Sequence, residues 1–140
     1  MYHATELLGI KDEIQTPFDL LKLTEKGLPR KAIAQLEGIL YLKPGEIAPM
    51  LHVSSRTIER YKKEKSNKKL NSAITERILR VAMVVARCKE VFEDPELCEE
   101  WLKTKNAALG NKEPISLLRW NFGIDMVLDE LGRIEHGIFA

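Results

Sequence analysis

The sequence predicts an all-α fold in two parts: a helix-turn-helix N-terminal domain joined by a long helix to a small helical C-terminal domain. Apolar residues recur at steps of three and four along most of the chain, and no stretch alternates apolar and polar over the length of a strand. Helix-opening prolines (Pro29, Pro95, Pro114) and helix-ending glycines (Gly27, Gly45, Gly137) punctuate this pattern. A chain of 140 residues suits one domain or two small ones.

Residues 1–23 are weakly patterned, with Gly9 and Pro17 interrupting them, and read as a loosely docked N-terminal arm. Leu20, Leu21 and Leu23 suit a short helix there. The first domain is expected over 24–70. It opens with a helix over about 29–42, carrying Ile33, Leu36 and Leu40 on one face and broken by Lys43-Pro44-Gly45. A short helix with Ile47, Ala48, Met50 and Leu51 follows, then a tight turn at His52-Val53, then a second short helix with Ile58 and Tyr61 inside. Ile74, Ile78, Val81, Val85, Cys88 and Phe92 mark a long connecting helix over 71–92, ended by Asp94-Pro95. The second domain, 93–140, starts with a helix capped by Asp94 that turns Leu97, Trp101 and Leu102 inward. A turn at Ala108-Leu109-Gly110-Asn111 and a short helix from Pro114 come next. A final helix carries Ile124, Val127, Leu128, Leu131 and Ile134 on one face and ends near His136-Gly137.

A hydrophobic fraction of 44% supports a core, and a charged fraction of 31% with a net charge of only +1 excludes a disordered chain. No apolar run approaches the roughly 18 residues a membrane span needs, and the start lacks the basic and apolar regions of a secretory signal. Cys88 and Cys98 have neither the spacing nor the histidine neighbours of a zinc site, so no metal or cofactor is expected and the cytoplasm is the default compartment. No nucleophile stands near a partner for acid–base work, and the chain does not read as an enzyme. The net charge hides a division. Residues 54–87 hold 10 basic and 3 acidic side chains, whereas residues 88–140 hold 6 basic and 11 acidic. Such a split suits two different partners, although two solvated faces would look the same.

The segment 45–61 resembles a helix-turn-helix DNA-binding motif. Ala48 is small enough for the two helices to approach closely, and His52 stands where the turn needs a positive φ, which histidine tolerates better than most residues. Ser54 or Ser55 can cap the second helix. Ser55, Arg56, Thr57 and Arg60 would then lie on its exposed face, where a recognition helix reads base edges. Lys62 and Lys63, with the lysines that follow, are placed for phosphates. A packed helix pair with a solvated basic end is the plain alternative. Pro49 departs from the pattern and must sit in the first turn of its helix or kink it.

The C-terminal stretch carries a denser motif: Trp101-Leu102, Asn106, Ala108-Leu109-Gly110, Pro114-Ile115, Leu117-Leu118, Gly123, Val127, Leu131 and Arg133-Ile134-Glu135-His136-Gly137-Ile138-Phe139. It resembles the toxin-binding domain of the Xre/MbcA/ParS antitoxin family over about residues 83–140, preceded here, as in many members, by an Xre-like helix-turn-helix. The resemblance implies the antitoxin of a type II toxin–antitoxin system. Its partner would be a RES-domain toxin acting on NAD, its second target operator DNA, and its working form a homodimer within the toxin complex. The toxin contacts it implies are Trp120, Arg133, Glu135, His136, Ile138 and Phe139. Three positions depart from the family pattern: Lys105 where proline is frequent, Asn111 where a second glycine is, and Trp120 where threonine is. Arg133 suits either a surface ion pair or a contact in the toxin's pocket, and Ile138 and Phe139 either fold back or insert into the partner. A dimeric regulator with a C-terminal dimerisation or effector module, and no toxin, is the competing reading.

Overall fold

The computed structural model describes residues 3–137. It is all-helical: α1 (Ala4–Leu7), α2 (Pro17–Lys26), α3 (Lys31–Leu40), α4 (Ala48–Leu51), α5 (Ser55–Lys63), α6 (Ser72–Phe92), α7 (Pro95–Leu102), a 3-10 turn (Ala107–Leu109), α8 (Pro114–Leu117) and α9 (Asn121–Glu135). Two compact units divide the chain between Met83 and Val84, inside α6.

In the first unit α3 forms because Ala32, Ile33, Leu36 and Leu40 share one face, all buried. Tyr41 ends it in the left-handed region, at φ 53°. The turn after α4 is built as its residues require. Pro49 lies in the first helical turn, where its missing N–H costs nothing. His52 takes φ 59° and ψ 38°. Ser54, rather than Ser55, caps α5, its Oγ accepting from the Thr57 N–H at 3.1 Å. Ile47, Leu51 and Ile58 close the space between the two helices.

The start of α6 is tied to the entry of α3. The Leu70 N–H donates to the Leu28 carbonyl at 2.8 Å, and the Leu28 N–H donates to the buried Thr75 Oγ1 at 3.1 Å. Gly27, at φ 88°, is needed there, because a Cβ would overlap the Leu70 carbonyl oxygen. The stretch before α3 is not a loose arm. Ala4, Thr5, Leu8 and Leu23 are buried, and α1 packs on α3. Its apolar residues are too few and too interrupted by Gly9 and Pro17 to show a period, yet Leu8 loses all its exposure.

In the second unit Val84, Val85 and Cys88 of α6 lie in the core. Glu93 turns the chain at φ 57°, and Asp94 Oδ1 accepts from the Glu96 N–H at 2.9 Å to cap α7 ahead of Pro95. Leu97, expected on the apolar stripe, is half exposed, and Cys98 and Leu102 are the buried residues of α7. Cys98 is fully enclosed, with its carbonyl 3.7 Å from the Cys88 Sγ. The hydrogen bond with Cys98, together with burial, pushes the Cys88 thiol well above the usual range, so it stays protonated.

Asn106 folds the next turn, accepting from the Ala108 N–H through Oδ1 at 2.9 Å and pairing through its backbone with Lys112. Asn111 sits at φ 60°, a conformation asparagine tolerates, which is why it can stand where glycine is frequent. The last helix starts at Asn121, with Trp120 at the cap position. It packs on α8 through Gly123, where a Cβ would overlap the Leu117 carbonyl oxygen.

Gly123→Ala tests this contact by its sign. Inside a helix alanine gains about 1 kcal/mol over glycine, whereas forced overpacking costs about 1–3 kcal/mol or more. The urea midpoint is expected to fall. A raised midpoint would mean that α8 and α9 do not touch at this residue.

Candidate nucleic-acid interface and partner-binding surface

The surface of α5 follows from its cap. With Ile58 buried, Ser55, Arg56, Glu59, Arg60 and Lys63 face solvent. The Thr57 hydroxyl lies 3.0 Å from Ser54 Oγ, so this side chain braces the cap and is only half exposed. Arg60 leans on the Tyr61 ring at 5.4 Å and reaches Glu64 at 3.9 Å. The Lys62 ammonium pairs with Glu37, a carboxylate of α3 that is only 7% exposed. Three exposed cations along α5, Arg56, Arg60 and Lys63, gather round one shallow hollow with Glu59 and Glu64.

Arg30, unremarked in the sequence, belongs to the same region. Its guanidinium stacks 4.7 Å from the Tyr61 ring centre and donates to Glu64 Oε2 at 2.5 Å. That bond holds the Glu64 carboxyl below its usual range, so it is charged at neutral pH. No signal of spacing links residues 34 positions apart.

On the second unit the expected partner residues divide. Trp120 is 52% exposed, with the Arg119 guanidinium 4.7 Å over its ring. Arg133 projects from the last turn of α9, its side chain 62% exposed and 3.5 Å from Glu130. His136 caps α9 and is exposed. Glu135 is engaged inside the unit, where both its oxygens accept from Arg87 of α6, at 2.6 and 2.8 Å. Ile138 and Phe139 lie outside the described residues. Phe122 and Met126, two exposed apolar residues one helical turn apart, follow Trp120 and were not among the expected contacts. They project from the side of α9 opposite the buried Ile124, Val127 and Leu131.

Residues 19–83 match the antitoxin Xre-like helix-turn-helix domain, and residues 89–137 match the antitoxin Xre/MbcA/ParS C-terminal toxin-binding domain. The chain belongs to the Xre/MbcA/ParS antitoxin family. Relatives of this antitoxin include the Prs ADP-ribosylating antitoxin of Sphingobium sp. (strain YBL2), 26% identical over 89% of this chain and 83% of that one. Antitoxin Xre of Photorhabdus laumondii is 28% identical over 84% and 79%, and antitoxin Xre of Yersinia enterocolitica is 36% identical over 47% and 45%. A chain in the crystal structure of the M. tuberculosis MbcT–MbcA toxin–antitoxin complex has the same fold, with a TM-score of 0.56 at 20% identity over 79% of this chain and 96% of that one. Among the described residues the antitoxin has no helix long and apolar enough to cross a membrane and no cluster of side chains able to hold a metal ion.

The Arg87–Glu135 pair gives the second unit a pH dependence. The arginine's hydrogen bonds lower the Glu135 pKa below its ordinary 4.5. A lowered folded-state pKa contributes stability that is present above 4.5 and lost as pH falls through the folded value. Melting curves of the wild type should therefore lose this increment at acid pH. Glu135→Gln should melt lower at pH 7 and converge with the wild type in acid. Parallel curves at all pH values would show that the pair adds nothing.

Proposed function

We propose that this antitoxin neutralises a RES-domain toxin acting on NAD, and that as a homodimer in the cytoplasm it represses its own operon through α5. The observation that carries the reading is the pairing, in one chain, of a helix-turn-helix whose second helix is capped and cationic with a domain of the toxin-binding type. Ser55, Arg56 and Thr57 lie at the N-terminal end of α5, which enters a major groove when this motif docks, with Arg60 one turn on, and Lys63 would meet a phosphate. Thr57 acts through the cap, and Lys62 through its pair with Glu37, which holds α5 against α3.

The second unit would cover the toxin's active-site entrance, with Trp120 at the start of α9 and Arg133 and His136 at its end as the contacts. Exposed tryptophan and arginine are the side chains that most often anchor such contacts. Glu135 would act from behind, holding the last turn of α9 through Arg87, and the Ile138-Phe139 tail would insert into the partner. An acidic balance over 88–140 steers this half away from DNA. The name of the Sphingobium relative ties that protein to ADP-ribosylation, a reaction that consumes NAD, which supports a toxin of this chemistry.

Co-expression with the product of the adjacent gene tests the toxin half. A stable complex by size-exclusion chromatography, with NAD depleted only when this protein is absent, is expected. No complex and no toxicity would leave a dimeric regulator. For the DNA half, Arg56→Ala with Arg60→Ala should lose binding to the promoter region while still neutralising the toxin. Continued repression by the double variant would remove α5 from the recognition role.

A further inference from the structure

The residues after α5 do not trail away as a solvated tail. They close with the N-terminal end of α3 around an open cavity of about 860 Å³. One wall is Arg30 and Lys31, and the other is Lys65, Lys68 and Lys69 of the loop, with Tyr61 and Glu64 between them. Among the described residues Lys31, Lys65, Lys68 and Lys69 have no acidic side chain in ion-pair contact, and the carboxylate on the wall, Glu64, is already taken by Arg30. At the α3 end, Arg30 Nε is buried with no hydrogen-bond partner among the described residues. Unpaired cations drawn round one hollow repel each other unless an anion joins them.

We propose that this cavity is a phosphate site that seats the sugar–phosphate backbone of duplex DNA, with Lys31 on the α3 side and Lys65, Lys68 and Lys69 on the loop side. The inference rests on the proposed DNA binding and adds a second, sequence-blind contact to it. Its size and spread favour a run of phosphates over a single oxyanion, since the lysines come from two separate segments. It also adjoins the hollow on α5 that holds Arg56, Arg60 and Lys63, and the two share Glu64. A backbone passing a docked α5 thus has a continuous cationic track. Arg30 is the positioning residue: stacked on Tyr61 and bonded to Glu64, it fixes where the loop begins.

The test is the salt dependence of DNA affinity, measured with the full chain on a duplex from its own promoter region and on an unrelated duplex. Each phosphate contact contributes about 0.9 to the slope of log K against log salt. Lys31→Gln and Lys68→Gln should each lower the slope by about that amount, and together by about 1.8, with the same fold-loss on both duplexes. Lys22→Gln removes an equal charge from α2, outside the cavity, and should leave the slope unchanged. All variants keep exposed aliphatic stems, and circular dichroism confirms their folding. A wild type that binds neither duplex overturns the DNA reading and this inference together. Wild-type binding with an unaltered slope in the Lys31/Lys68 variant, or an equal fall in the Lys22 variant, overturns the cavity alone and leaves α5 in place.

Discussion

A guanidinium buried beneath the helix-turn-helix sets where α5 points. Arg77 of α6 is 7% exposed and donates its Nε–H to the Met50 carbonyl at 2.8 Å. Helix α4 has only four residues, too few to hold itself in water. Its last carbonyls have no intrahelical partner, and Arg77 supplies one. Burial pulls the Arg77 pKa down from its ordinary value, a measure of how unfavourable its surroundings are for a free charge. The charge is tolerated because a charge-assisted hydrogen bond offsets the loss of water. The His52 turn, the Ser54 cap and the face of α5 all hang from the helix end that this bond secures.

Charge is therefore sorted by role within one basic stretch. Of the cations between residues 54 and 87, Arg77 braces α4, Lys62 pairs with a buried carboxylate, and Arg87 ties α6 to α9. The cations that face solvent are concentrated on α5 and in the loop after it. A count along the sequence treats all ten alike and so overstates the surface charge. The acidic half shows the same sorting, since Glu135 is spent on a link within its own unit while Arg133 and His136 are exposed beside it.

What the sequence made legible was local. The positive φ at His52, the Asp94-Pro95 start of α7 and the first-turn position of Pro49 depend on one residue and its neighbours, so turn chemistry reveals them. The apolar face of α6 is legible because its period persists over 21 residues. Thr75 with Leu28, Arg77 with Met50 and Arg87 with Glu135 lie 47, 27 and 48 positions apart, and polar pairs at such separations leave no periodic trace. The same limit hid the docking of Leu8, the pairing of Lys62 and the partnership of Arg30 with Glu64. In the partner-binding domain the apolar face of α9 was legible from its period, whereas the engagement of Glu135 by Arg87 was not.

That packing has a genetic side. Every single-base change in the first or second position of a glycine codon either stops translation or installs a residue with a Cβ. At residue 123 each such residue would meet the carbonyl of Leu117. In most proteins a weakened allele costs the cell one activity. An antitoxin that loses its fold also frees the toxin it belongs with, so damage here costs a cell more than the molecule's own activity. The codon for Gly123 is thus policed by a gene other than its own.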